Sequence, residues 1–354
     1  MKNHPYADAP DYRRWRQAVA LTPPQDVDPV ITVPFRITQS DRIVSAGSCF
    51  AQHIARRLVQ NGFNYLVTEM AHPLLPAEVA EAFGYGLYSA RYGNVYTARQ
   101  LLQLLHRAYG RYQPRDDVWE DNGRYFDPYR PSIQTNGFAT RREFELDRQR
   151  HFAAVRRAFE TMDVFVFTLG LTECWCSVED GAVYPTCPGT VAGQFDPTRH
   201  AFVNLTATDV VADMRAFVAE VRTLNPKVKI VLTVSPVPLV ATAEDRHVLP
   251  CTVYSKSVLR VAAEEIATLP EVIYFPAFEI VTGSFSRGRY FAEDCRSVTE
   301  EGVSHVMRVF FKHLAPEGQV ETVVKAAPTI DPHLEHSLAV VAAICDEERL
   351  DARS

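Results

Sequence analysis

Covalent catalysis needs a small side chain with a hydroxyl or thiol on a tight turn, beside groups that take its proton and hold the charge it creates. The stretch Ile43-Val44-Ser45-Ala46-Gly47-Ser48-Cys49-Phe50-Ala51 offers two such side chains in succession, Ser48 and Cys49, directly after Gly47. An apolar run precedes them. An amphipathic pattern follows, with Phe50, Ala51, Ile54, Leu58 and Val59 on one face and Arg56 and Arg57 on the other, until Asn61-Gly62 stops it. Strand, turn and helix in this order expose a nucleophile at the C-terminal edge of a sheet, where the helix N-terminus stabilises negative charge on a thiolate or an oxyanion. The plainer alternative is a buried β-α turn in which Cys49 only packs, as free cysteines often do.

Further polar groups stand where other apolar runs end. Asp163 to Gly170 is a short buried run that closes in Gly170-Leu171-Thr172-Glu173, and Val228 to Val234 closes in Ser235-Pro236. Asp294 precedes a helix pattern from about Thr299 to Leu314, which carries His305. A nucleophile, oxyanion donors and an acid/base pair are brought together from distant segments in this way. Thr172 and Glu173 also suit a plain strand end or helix cap.

The elements that must position these groups alternate along the chain. Five strands are expected near residues 43, 65, 166, 231 and 273, separated by helix patterns; Thr97 is placed to cap one of these over Ala98–Tyr109. A charged helix is expected from Arg141 to Thr161, an irregular stretch over 110–140 and a long loop over 177–204. Alternation of this kind predicts an α/β fold: a parallel sheet covered on both faces, with function at the carboxyl ends of its strands. We read residues 1–40 as an extension laid on the domain, with Trp15 and Phe35 as anchors, and 41–316 as the α/β domain. Residues 317–354 read as a C-terminal helix, Leu334 to Cys345, and a charged tail.

At 354 residues the chain can bury a large core. Its net charge of −6 is dispersed, which argues against nucleic acid as an obligatory partner. Seven cysteines occur without paired CxxC spacing, so no structural zinc site is expected; no His/Asp ligand spacing stands out either, which ranks a metal hydrolase third, and no cofactor is expected. No apolar run approaches a membrane span and the first residues carry no leader-like apolar core, so the expectation is a cytoplasmic protein with reduced thiols.

The pentapeptide Gly47-Ser48-Cys49-Phe50-Ala51 is the signature of the GSCFA-domain family. Gly93-Asn94-Val95-Tyr96, Thr233-Val234-Ser235-Pro236-Val237, Tyr274 to Val281 and Arg289 to Asp294 also resemble that family. The resemblance runs from about residue 40 to 315. The family is similar in outline to the SGNH/GDSL hydrolases, esterases and acyl-group handlers on a flavodoxin-like sheet. That second likeness implies a three-layer α/β/α sandwich with five parallel strands, and it is an analogy at the level of fold. In the GDSL pattern the nucleophile stands two places after the first glycine, the place of Cys49 here; Ser48 takes it only if the turn shifts by one. The pattern's oxyanion groups would fall at Asn94 and at Gly170-Leu171-Thr172-Glu173, with Thr172 in place of an Asn.

The pattern's Asp-x-x-His reads Asp294-Cys295-Arg296-Ser297 in this chain, so Ser297 stands where the histidine belongs. His305, two turns along the following helix, is the preferred substitute, with Asp294 to orient it; an ordinary packed histidine is the alternative there. His53, one turn into the nucleophile helix, and His72, before a proline, rank lower. The resulting expectation is an esterase or acyltransferase acting through an acyl-enzyme on an ester, such as an acetyl ester, of a carbohydrate or related small molecule. A catalytically inactive glycan- or ligand-binding protein of the same fold is the second reading. The oligomeric state is left open.

Overall fold

Apolar runs that are hydrophobic on both faces are stable only inside a sheet covered on two sides. The computed structural model describes residues 4–316, so the expected C-terminal helix and tail lie outside the described residues. After short helical turns at Asp11–Arg13, Arg16–Ala20 and Pro24–Asp26, the first strands and α-helices are β1 (Ile43–Gly47), α1 (Cys49–Gln60), α2 (Ala77–Ala82) and α3 (Ala98–Ala108). They are followed by β2 (Trp119–Asp121), β3 (Arg124–Phe126), α4 (Arg141–Thr161), β4 (Val164–Leu169), β5 (Glu173–Ser177), β6 (Val183–Tyr184) and β7 (His200–Asn204). The remainder comprises α5 (Ala207–Leu224), β8 (Lys229–Val234), α6 (Val248–Ile266), β9 (Val272–Tyr274), α7 (Ala277–Thr282) and α8 (Glu300–Leu314).

The central sheet is parallel and four-stranded, in the order β1-β4-β8-β9. Alternation along β4 sends Phe165, Phe167 and Leu169 into a core shared with α3, α4, α5 and α6. Val164 and Val166 go to the opposite core, with α1, α7 and α8. The expected fifth strand is reduced to one parallel bridge, Ile43 to Tyr65. After two ladder bonds the chain is drawn off the sheet edge, because the Thr68 N–H donates to Ser89 O at 2.7 Å and its hydroxyl to Ala154 O at 2.9 Å.

Two stretches expected to be irregular contain strands. Residues 177–204 contain β6 and β7, which pair on either side of β5 in a three-stranded antiparallel sheet, β6-β5-β7, and 110–140 contains the β2-β3 hairpin. Prolines and glycines there punctuate short strands rather than prevent them. In the N-terminal stretch Phe35 is buried as expected, whereas Trp15 is 69% exposed and anchors nothing. The extension is held instead by α8: Ile37 N–H donates to Leu314 O, Arg36 to Ala315 O, and Asp28 pairs with Lys312 and His313. No helix among the described residues is long and apolar enough to cross a membrane. All six described cysteines are free thiols.

Candidate functional site

The turn between β1 and α1 is built on Gly47, whose φ of +146° no L side chain adopts comfortably. A Cβ there would lie 2.6 Å from Thr168 O and 2.7 Å from Thr168 Cβ. The close approach of β1 to β4 sets Ser48 at the N-cap and Cys49 as the first residue of α1. Ser48 is buried, its Oγ caps nothing and has no hydrogen-bond partner among the described residues, whereas Cys49 is half-buried. Without a side-chain cap, the N–H groups of Cys49 and Phe50 are left for a ligand, while that of Ala51 donates to Ser48 O at 2.9 Å. Thr168 and Thr233 stand in register with Gly47 across β4 and β8, and their hydroxyls are also buried without a partner among the described residues. Three unsatisfied hydroxyls thus stand in or beside the ends of neighbouring strands, at the head of α1.

Residues 93–97 tie these strand ends together. Val95 N–H donates to Gly47 O at 2.9 Å, and Tyr96 O accepts from the N–H groups of Gly170 and Leu171 at 3.0 and 3.1 Å. A buried ion network fixes the base of this loop: Arg91 pairs with Asp147, Arg130 bridges Asp147 and Asp127, and Arg91 N–H donates to Glu69. Burial works against its charge, but His151 and Arg130 hold the Glu69 carboxyl down at about 2.

Each expected oxyanion group has a partner already. The Asn94 carbonyl oxygen Oδ1 accepts from Tyr88 OH, which also accepts from Gln52 Nε2 at 2.8 Å. The Gly170 N–H is taken by Tyr96 O, and its carbonyl accepts from the buried Lys256 ammonium at 2.7 Å. Thr172 Oγ1 donates to Asn204 Oδ1 at 2.7 Å, and Asn204 Nδ2 donates onward to Glu244. Glu173 accepts from Thr242 Oγ1 at 2.8 Å, and burial pushes its carboxyl pKa up. What the structure does gather at the turn is Gly47, Ser48, Cys49 and Gly170; a Cβ on Gly170 would stand 3.2 Å from Ser48 Cβ.

His305 is committed elsewhere. Its Nε2–H donates to Val27 O at 2.8 Å and its Nδ1 accepts from Tyr290 OH at 2.7 Å, with Phe285 and Tyr290 against the ring. Burial lowers its pKa, so the ring is a neutral cross-link between α8 and the N-terminal extension with no nitrogen left to serve Cys49. We expect His305→Ala to cost about 2–4 kcal/mol in urea unfolding, because it opens a cavity and strands two buried polar groups. The folded fraction should keep its per-molecule activity. Asp294 is likewise closed on its own turn, accepting from Ser297 Oγ at 2.5 Å and from the N–H groups of Arg296 and Ser297 at 2.9 Å.

A different histidine is left available. His53 lies four residues after Cys49 in α1, a spacing that makes the two side chains neighbours on one face. Its ring packs on Phe50 at 5.9 Å between centroids, and neither nitrogen has a hydrogen-bond partner among the described residues. Burial, with Arg56 and Arg57 nearby, lowers its pKa to about 4, so the imidazole is neutral at physiological pH. The signal was legible as the i, i+4 spacing Cys49-x-x-x-His53. Lys256 and Ser255, which bond Gly170 O and Thr172 N–H, were missed. The buried positions Cys251, Leu259, Ala262 and Ile266 put Ser255 on the same stripe of α6.

Beyond Gly170 opens a cleft of about 230 Å³, lined among others by Leu171, Glu173, Trp175 and Phe202 of the small sheet, and Leu239–Ala243. Its lining contains no Lys, Arg or His, and Glu173 is its one acidic side chain. Thr186 also lines it, with a buried hydroxyl that has no partner among the described residues. Among the described residues no three His, Cys, Asp or Glu side chains gather as metal ligands.

None of the curated proteins compared with the chain matches it. The model of the GSCFA family does, over residues 42–310, from the residue before β1 into α8. That span takes in all four strands of the central sheet and the Gly47–Cys49 turn, and the chain therefore belongs to the GSCFA family.

Proposed function

We propose that this protein is an esterase or acyltransferase that works through a thioester on Cys49. The observation that carries the reading is a half-buried thiol on the uncapped N-terminus of α1, four residues from an imidazole that no described residue hydrogen-bonds. Cys49 Sγ attacks the ester carbonyl and passes its proton to His53. The first amides of α1 hold the oxyanion, and the Ser48, Thr168 and Thr233 hydroxyls supply further donors at the strand ends. His53 then gives the proton to the leaving alkoxide, and water or an acceptor hydroxyl releases the acyl group with His53 again as base. Ser48 is the weaker nucleophile in this reading, being buried and without a base. The sheet is compatible with the SGNH-like sandwich: with the Tyr65 bridge counted as a second position, the order is 2-1-3-4-5, as in flavodoxin-like sheets.

The test is intact-mass analysis after incubation with p-nitrophenyl acetate. One acetyl group is expected on wild-type protein, mapped to Cys49, retained in Ser48→Ala and absent from Cys49→Ala. No adduct and no turnover across several acyl esters would overturn the enzyme reading. It would leave a ligand-binding protein of the same fold, which the closed Asp294–Ser297 pair favours.

A further inference from the structure

We infer that the cleft beside Gly170 binds the acyl part of the substrate and selects a neutral, mostly apolar acyl group longer than acetyl; the inference rests on the acyl-transfer reading above. Four observations converge on it. The cleft adjoins the turn: Gly170 packs on Ser48, and the next residue, Leu171, is the first of the lining. On this proposal the chain of an acyl group attached at Cys49 runs past Gly170 and along Leu171 into the cleft. The walls are apolar and aromatic, with Trp175 edge-on to Phe202 at 5.7 Å between centroids, and an acetyl methyl would leave them wet.

Charge and polarity narrow the class. No cation lines the cleft and Glu173 does, so a succinyl-type or phosphorylated group would meet a carboxylate with nothing to neutralise it. The Thr186 hydroxyl is buried and unpartnered at the wall, a single donor or acceptor for one polar substituent on an otherwise apolar group. At about 230 Å³ the space falls below the usual range for drug-sized ligands of about 300–1,000 Å³, which suits a short chain or a single ring. The cleft is thus the specificity pocket, and the small β6-β5-β7 sheet exists in the chain to build its wall.

The experiment compares kcat/KM of the wild-type protein for p-nitrophenyl acetate, hexanoate and hemisuccinate. It repeats the series in Ala241→Trp and Ala243→Trp, both exposed positions on the rim, so that one survives if the other fails to fold. Hexanoate is expected to be preferred over acetate at least about tenfold, hemisuccinate to be poorest, and the tryptophans to cut the hexanoate-to-acetate ratio at least about tenfold. Turnover of acetate as good as that of hexanoate, with a ratio that neither tryptophan moves, overturns the pocket and leaves the enzyme reading standing. Calorimetric titration of Cys49→Ala with hexanamide separates the opposite case. If no ester turns over, hexanamide binding that Ala241→Trp or Ala243→Trp weakens keeps the cleft as an apolar ligand site, and absence of binding removes it.

Discussion

Cys49→Ala is expected to lower ester turnover by at least about 10⁴-fold, and His53→Gln by about 10²–10⁴-fold, with folding intact in both. Neither side chain holds up a core: Cys49 is half-buried, and His53 makes no hydrogen bond among the described residues. The pH profile supplies the sharper check. Burial, Arg56 and Arg57 all disfavour the imidazolium, so His53 stays an unprotonated base down to about pH 4. The acid limb of kcat/KM should therefore lie near pH 4, more than two units below the limb of an ordinary histidine, and vanish in His53→Gln. Protonation removes the base, so the rate falls as pH drops through that value. An acid limb near 6.5 that survives in His53→Gln would assign the base to another residue. The low basicity fits the second half of the cycle, since a weak base gives its proton readily to the leaving alkoxide.

The largest effect on stability is expected at Gly47. Gly47→Ala combines a strained φ of +146° with a Cβ 2.6 Å from the Thr168 carbonyl oxygen, and should cost at least about 3 kcal/mol in chemical unfolding. The closest contact is with main chain, so truncating Thr168 cannot rescue it. Gly86 is the control: its φ is also positive, at +80°, but nothing lies within 4 Å of its Cβ position, and Gly86→Ala should cost about 1 kcal/mol. A loss at Gly47 no larger than at Gly86 would mean that β1 and β4 can separate at the turn. If the substitution is tolerated at low temperature, turnover should still fall, because the same contact sets Ser48 and Cys49 at the strand ends.

The sequence by itself determined the parts that depend on local pattern. Apolar runs at 43–47, 164–169, 229–234 and 272–274 became the four strands of the parallel sheet, and Thr97 caps the helix it precedes. The Gly47-Ser48-Cys49 turn was legible too, because strand, glycine and amphipathic helix are each written within a few residues. The expectation at 64–68 failed as a full strand since ladder length is decided by competing partners, here Ser89 and Ala154, which no local window contains. The antiparallel strands within 177–204 were hidden for a related reason: their pairing joins residues such as Glu173 and Asn204, far apart in the chain.

Only the tertiary structure decided which polar groups are spoken for. Thr172, Glu173, Asn94 and Asp294 carry the right chemistry by type, yet each one's bonding depends on neighbours such as Asn204, Thr242, Tyr88 and Ser297. His305 and His53 show this most plainly. Both lie on the amphipathic helices the sequence predicts, and residue type gives them equal claim to be the base. Val27 and Tyr290 occupy one ring, and no described residue hydrogen-bonds the other. A hydrogen bond is a statement about two atoms within about 3 Å, so a side chain's availability is a property of the packed chain, while its chemistry is a property of the sequence.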